Sequence, residues 1–391
     1  MNDMNMNLNK QHGFTIVELM VAATLGLLIL AGTVTMFVNN KRLYQDQQEI
    51  GRLQENARYA MEMLTRELRL TGHVGCLGDP SLVNNNLNNA FAGYAAGAGD
   101  KKLGSSDEAA ASAGLDTKEI FVWTPSTVVE GSENGGNWQP SNSTQGVANM
   151  VGGSDGLTLR FMEPTDYYAM EPPIATGGGT MRISAQSGLN SGDIVALADC
   201  NRLEIVQVTG AVTTSGCSPA TAESTGPDDT CLDTAPIAAG TVVGIDPGNA
   251  QTISDDKFDS SAKFYRFRTH RYYVGLDPNG NNVLYRKSDD ASGPGDIIVD
   301  GIENMQVMYG EDTNGDQSPD IYRNAGAVAN WQNVVAVRVA LLVRTENEYG
   351  PGEDANTYDL LGTVINPVDD RRQRQVTTTT VLLRNLELFQ F

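Results

Sequence analysis

The chain opens polar and then turns apolar without interruption. Residues 14–38 read FTIVELMVAATLGLLILAGTVTMFV, and Glu18 is the only charge among these 25 positions. At about 1.5 Å rise per residue, a helix of this length crosses a bilayer core of about 30 Å. From Asn39 the sequence becomes polar but keeps helical spacing. Leu43, Ile50, Leu53, Ala57, Ala60, Met61, Leu64 and Leu68 recur every three or four residues. No proline occurs before Pro80, and Gly72 and Gly75 are stop signals. The pattern predicts one helix from Phe14 to about Leu70, about 85 Å long. Its first half is apolar all round, and its second half carries one stripe suited to packing on a globular head. A coiled coil is the alternative for that second half.

After Gly75 the periodicity changes from helical to alternating. Residues 79–155 are rich in Asn, Gly, Ala and Ser, which predicts long loops with short ordered pieces such as Glu119 to Trp123. Strand signals follow at 156–162, 193–198, 203–208, 241–245, 265–274 and 283–287, then at 301–309, 334–344 and 376–384. Asp277 to Asn282 (DPNGNN) reads as a hairpin turn between two of them. Residues 347–370 read as a loop. The fold class predicted is α+β, with the long helix packed on an antiparallel sheet. The divisions are a polar leader 1–13, an apolar helix 14–38, its amphipathic continuation 39–75, and a β-rich head 76–391.

Charge narrows the function classes. Lys and Arg total 27 against 48 Asp and Glu, a net charge of −21 in 391 residues. A polyanion is repelled by such a surface, so direct nucleic-acid binding is not expected. Removing residues 1–13 takes away Asp3 and Lys10, so the mature chain still carries 26 minus 47, again −21. The acidity therefore belongs to the head. Arg371-Arg372-Gln373-Arg374 is the head's one cationic cluster, and its expected role is to neutralise nearby carboxylates.

Candidate chemistry is sparse. His12 lies in the leader, His73 and His270 have no evident nucleophile partner, and Gly177 to Gly179 lack the Lys-Ser/Thr of a phosphate loop. No enzyme activity is expected. Asp312, Asn314, Asp316, Ser318 and Asp320 alternate as D-x-N-x-D-x-S-x-D, the spacing of oxygen ligands in a calcium loop. The match is partial, because Gln317 stands where an EF-hand has glycine and Arg323 where it has glutamate. Structural Ca²⁺ is one expectation here and a solvated acidic turn the other. The cysteines are Cys76, Cys200, Cys217 and Cys231, which allow three pairings or free buried thiols. The short polar loop between Cys217 and Cys231 favours that pair, leaving Cys76 with Cys200 to tie the helix end to the sheet.

Glu18 is the anomaly of the apolar run. A carboxylate inside a bilayer helix costs a few kcal/mol, roughly 3 on insertion scales. It either reaches the headgroups or serves a function. Gly13-Phe14-Thr15-Ile16-Val17-Glu18 resembles the class III leader junction of type IV prepilins and pseudopilins. That resemblance implies cleavage between Gly13 and Phe14 by a prepilin peptidase, and methylation of the new Phe14 amine. It also implies that Glu18 pairs with the Phe14 amine of a neighbouring subunit, where an unpaired buried carboxylate would be costly.

Together with LTRELRLTGHVGC, the YYV…LYRK hairpin, the DTNGD loop after MQVMYG and the closing RRQRQVTTTTVLLRN, the layout resembles the W-type minor pilins (PilW family) of type IV pili. The resemblance implies a pilin-like fold. It implies an inner-membrane protein with its head outside, which joins other minor pilins and the major pilin in a priming or tip complex. That complex could present a tip adhesin and support twitching and adhesion. A J-type pseudopilin of type II secretion and a DNA-uptake or adhesion module at the pilus tip are the alternatives.

Overall fold

The computed structural model describes residues 14–73, 75, 83–85, 128–136, 138–139, 147, 149–168, 180–183, 194–208, 230–233, 263–288 and 295–385. The predicted pieces at 119–123 and 241–245 lie outside the described residues, as do Gly13, Cys76 and Cys217.

One helix, α1, runs unbroken from Ile16 to Leu70, 55 residues, about 80 Å at helical rise. Thr15 caps it: the Glu18 N–H donates to Thr15 Oγ1 at 3.2 Å. At its other end the Thr71 N–H and hydroxyl both donate to the Glu67 carbonyl, at 2.9 Å. Gly72 then takes φ +76°, which only glycine adopts without strain, and the chain turns into the head. The apolar half packs against none of the described residues of the head. Leu27, Leu28, Ile29 and Phe37 are among many exposed side chains, and no residue of the most apolar window is buried. The second half buries Leu53, Ala57, Ala60, Leu64 and Leu68, the stripe that periodicity predicted. Three of its expected members differ. Leu43 is exposed because the head begins higher up the helix, and Ile50 and Met61 are half-buried. Glu49 and Glu67 are buried beside the stripe, held there by polar partners described below.

The strands, in chain order, begin with β1 (Val83–Asn85), β2 (Val129–Ser132), β3 (Trp138–Gln139), β4 (Gly156–Tyr168), β5 (Thr180–Ile183) and β6 (Ile194–Asp199). They continue with β7 (Arg202–Gln207), β8 (Thr230–Asp233), β9 (Lys263–Leu276), β10 (Asn282–Ser288), β11 (Asp296–Asp300) and β12 (Ile302–Glu311). The last are β13 (Ile321–Arg323), β14 (Val334–Arg344), β15 (Tyr358–Leu360), β16 (Thr363–Ile365) and β17 (Arg374–Leu382). They form two main sheets. The larger has the order β1-β7-β6-β9-β4-β2-β3, with β10 on β9 and β11 on β10. One edge of β9 is divided: its first residues pair with β6 and its last with β10. The smaller sheet is β13-β12-β14-β17. β15–β16 is a separate hairpin, and β5–β8 is a separate antiparallel pair between strands distant in the chain.

Three sequence expectations need correction. The head has two main sheets, because β12–β14–β17 close a hydrogen-bonded unit of their own. Pairing is antiparallel except at β1–β7, which is parallel. The stretch 347–370 is not all loop. Leu360 of the β15–β16 hairpin buries itself against Ala340 and Leu342 on the outer face of the smaller sheet.

The two sheets share one core, and α1 supplies its middle. Leu53, Ala57, Leu64 and Leu68 pack together with Leu157, Leu159 and Tyr272 from the larger sheet and Val339, Leu341 and Val343 from the smaller. Burying each such side chain contributes about 1.5–3 kcal/mol. A close approach joins the sheets directly: the wholly buried Tyr309 of β12 lies over Gly131 of β2. Asp155 stitches the same junction, accepting the N–H of Asn134 and of Val307. Burial raises its carboxyl to about 6.

A Cβ at Gly131 would overlap the Tyr309 phenol, which has no room to withdraw. Gly131→Ala is therefore expected to destabilise the head by about 1–3 kcal/mol. Denaturant unfolding of the detergent-solubilised chain measures this, and an unchanged midpoint would show that the junction yields.

Candidate functional site

Three places hold the sequence-derived candidates: the start of α1, the loop after β12, and the basic run before β17.

At the start of α1, Phe14 precedes the helix and is 85% exposed. Thr15 and Glu18 form the Thr-x-x-Glu pair of a capping box. Thr15 Oγ1 accepts from the Glu18 N–H at 3.2 Å, and the same hydroxyl faces Glu18 Oε2 at 3.5 Å. The carboxylate thus sits in the first turn, where the helix dipole favours negative charge. Among the described residues no cation pairs with it. An exposed acid on an apolar helix is a contact awaiting a partner from outside the chain. Thr15 is the residue that sequence reading overlooked here, although Thr three places before Glu was the available signal.

The loop after β12 gathers all five predicted ligands into one turn. Asp312 is buried. Its Oδ1 accepts the N–H of Asn314 at 3.0 Å and of Gly315 at 2.7 Å, and its Oδ2 that of Gln317 at 2.7 Å. Burial alone would raise this carboxyl, but those backbone donors outweigh it and hold it below the usual range. Asp320 Oδ2 accepts the N–H and hydroxyl of Thr313 at 2.8 and 2.7 Å, and its Oδ1 takes the Asn314 amide at 3.1 Å. Asn314 Oδ1 accepts from the Asp316 N–H, and Asp316 Oδ1 from the Ser318 N–H, each at 2.9 Å. Gly315 and Gln317 take positive φ, which lets these bonds close. Among the described residues no three His, Cys, Asp or Glu side chains converge as a cation would need. As placed, these side chains bond the turn's own backbone N–H groups.

The turn at Asp277 works likewise. Its Oδ1 accepts the N–H of Asn279 and of Asn281, the hairpin role expected of it.

The basic run is a lock built around Arg374. Arg374 has no exposed side-chain surface. It bonds Glu303 at 2.6 Å, Asp370 at 2.9 Å and Asp354 at 3.2 Å. Arg372 bonds Asp370 and Glu348, and Arg371 donates to the Gly350 carbonyl. Burial opposes ionisation of Asp370, but hydrogen bonds from Arg374 and Arg372 prevail and bring its carboxyl from 3.8 to about 2. The same assembly reaches the helix: Gln373 donates to Asp46, and Asn347 to the buried Glu49. The run neutralises carboxylates, as its composition suggested, and ties residues 346–374 to the lower end of the head.

Near the other end of the head, the carboxylate of Glu67 on α1 meets His270 of β9 at 2.8 Å and Arg286 of β10 at 3.7 Å. His270 therefore has a structural partner in Glu67. Cys200, in the β6–β7 turn, is disulfide-bonded. The pairing of the four cysteines falls on residues outside those described, and Cys231 is seen only as strand backbone.

Comparisons with known proteins match both ends of the chain. Residues 271–385 match the family model of PilW, the type IV pilus-assembly protein W. Residues 8–34 match the prokaryotic N-terminal methylation motif. No curated protein matches. Among solved structures, the type IV-like pilin TTHA1219 from Thermus thermophilus aligns at 16% identity over 31% of this chain and 70% of that one, with a TM-score of 0.23. The chain is thus PilW-like over its last third and carries a pilin leader motif at its start. Both features speak for a role in pilus assembly.

Two outcomes test the site. Arg374→Met removes the cation shared by three half-buried carboxylates, of which Glu303 keeps Arg344 and Asp370 keeps Arg372, so the head should lose about 1–3 kcal/mol at pH 7. Asp370 titrates lower in the fold than when unfolded. Its stabilisation is present above about pH 4 and fades towards pH 2, so the gap between parent and variant should narrow over that range. Equal stability at pH 7 would show that Arg374 is not the lock. For the loop after β12, excess chelator should leave the melting temperature unchanged, and a fall would place a cation there.

Proposed function

We propose that this chain is a minor pilin that joins a priming or tip complex and helps to start type IV pilus assembly. One observation supports this most: a fully exposed apolar helix that carries one capped carboxylate, Glu18, on the same chain as a PilW-like segment. An apolar surface of this length is stable only in lipid or against other such helices. A helix of this kind can therefore hold the protein in the inner membrane with its head outside, and later pack among pilin helices. Leaving lipid for a helical bundle makes an unpaired Glu18 costly. A neighbour's terminal ammonium relieves that cost, which makes the pair a register device more than a source of stability.

On this reading a prepilin peptidase cuts between Gly13 and Phe14, so that Phe14 supplies the ammonium. The partners are other minor pilins and the major pilin, with a tip adhesin as a further member, and twitching and adhesion depend on the filament. The large head suits a tip position, because it carries surface that a repeated shaft subunit does not need. No enzymatic step is assigned to it. A J-type pseudopilin shares the same helix and leader, and the PilW-like segment favours the pilus reading over it.

Deleting the gene should abolish surface pili and twitching while exoprotein secretion continues. Lost secretion with normal pili would instead identify a pseudopilin. Glu18→Ala should leave the protein in the membrane and lower its recovery in sheared pili by about tenfold, the scale of one lost charge contact. Normal incorporation would refute the pairing.

A further inference from the structure

β17 closes the smaller sheet on one side. It pairs with β14 from Ala336↔Leu382 to Arg344↔Arg374 with no shift of register. Just beyond its ends, Thr345 donates to the Gln373 carbonyl at 2.9 Å and Leu383 to the Val335 carbonyl at 2.8 Å. Bonded pairs alternate along an antiparallel ladder. The main-chain groups of Gln375, Thr377, Thr379 and Val381 therefore point to β14. Those of Val376, Thr378, Thr380 and Leu382 point away, and among the described residues no strand pairs with that edge.

Exposed edges are ordinarily blunted by proline, lysine, a bulge or brevity. This one has none of these devices. It is nine residues long, reads RQVTTTTVL, and keeps a regular register. Four consecutive threonines give it high strand propensity without closing it.

Beside this edge lies a trough of 1410 Å³. Gln375 and Thr377 of β17 form one wall, Ser288 of β10 stands in the other, and the polar face of α1 is the floor. The floor carries Arg58, Glu62, Arg66 and Arg69, all exposed. The three arginines have no ion-pair partner among the described residues. In a chain of net charge −21 that concentration of free cations stands out. It faces the space that a strand added to β17 would occupy.

We propose that the free edge of β17 and the arginine-floored trough beside it form a docking site for an extended, acidic strand of a partner protein. Main-chain bonds to Val376, Thr378, Thr380 and Leu382 supply the affinity, as in other cases of strand addition. Alternate side chains of the incoming strand point down to α1. Carboxylates at those positions meet Arg58, Arg66 and Arg69 and set the register and the choice of partner. Basic or neutral strands gain the backbone bonds but not this pairing.

The probe is a synthetic peptide, acetyl-Thr-Glu-Val-Glu-Val-Glu-Thr-amide, with its Lys-for-Glu counterpart as control. Both are added to the full chain in detergent micelles, and amide hydrogen exchange is followed by NMR or mass spectrometry. The acidic peptide should slow exchange at Val376, Thr378, Thr380 and Leu382 by about tenfold, while the lysine peptide does not. Thr378→Pro removes one outward N–H and no bond to β14, so it should abolish the effect, and Thr378→Val should keep it. Arg58→Glu combined with Arg66→Glu should reverse the preference towards the lysine peptide. The proposal fails if neither peptide protects the edge or if both protect it equally. It also fails if those four amides exchange slowly in the chain alone, since its own segments or a second copy would then cover the edge. These readouts use the isolated protein, so their failure is distinct from any failure of the pilus reading.

Discussion

The long helix is the constraint on which everything else depends. One continuous α1 must satisfy two solvents. Its lower half shows apolar side chains on every face and touches none of the described residues of the head. Its upper half presents a narrow stripe to the head and charge to the outside. The head, in turn, is two main sheets that share no ladder hydrogen bonds. They cohere because Leu53, Ala57, Leu64 and Leu68 fill the space between them, with contacts to both, and because Tyr309 and Asp155 join them directly. The helix is therefore both the anchor of the protein and the filler of its core. Any force on the apolar half is carried directly into the head.

Polar groups fix where the head sits along this spine. At the lower end Gln373 reaches Asp46 and Asn347 reaches Glu49, while Arg374 holds the supporting carboxylates in place. At the upper end Glu67 meets His270 and Arg286. Hydrophobic contacts alone would tolerate a shift of one helical turn, because the stripe repeats. Directional, charge-assisted bonds at both ends do not tolerate it. The distance from the apolar span to the head is thereby set, which matters for a subunit whose helix must align with others. The same bonds account for the buried Glu49 and Glu67, since charges are admitted to an interior only with partners.

Much of this was legible beforehand. The helix, its stripe, most of the strands and the lone acid at Glu18 are consequences of local spacing, and local spacing is written in the sequence. The Arg371 to Arg374 run was readable as charge neutralisation because an isolated basic cluster in an acidic head has few other uses. The calcium-like spacing of Asp312 to Asp320 was legible as a pattern but not as geometry. Whether an Asp oxygen faces a cation or its own backbone depends on torsions at Gly315 and Gln317, and spacing does not report torsions. The Leu360 hairpin escaped notice because its strands are three residues each and one buried leucine is a weak signal.

By itself the sequence determined a membrane-length apolar helix, its amphipathic extension, an acidic β-rich head and a leader junction around Phe14 and Glu18. Each of these rests on near-neighbour periodicity or composition. The tertiary structure decided which strands became edges, which acids were buried, and which arginines were left free. Arg374 and Arg58 are the same residue type in the same chain. One is sealed among three carboxylates and the other lies on an open floor. That difference arises from contacts between residues far apart in the chain, such as Arg374 with Glu303. Such pairings are set only when the sheets close around the helix.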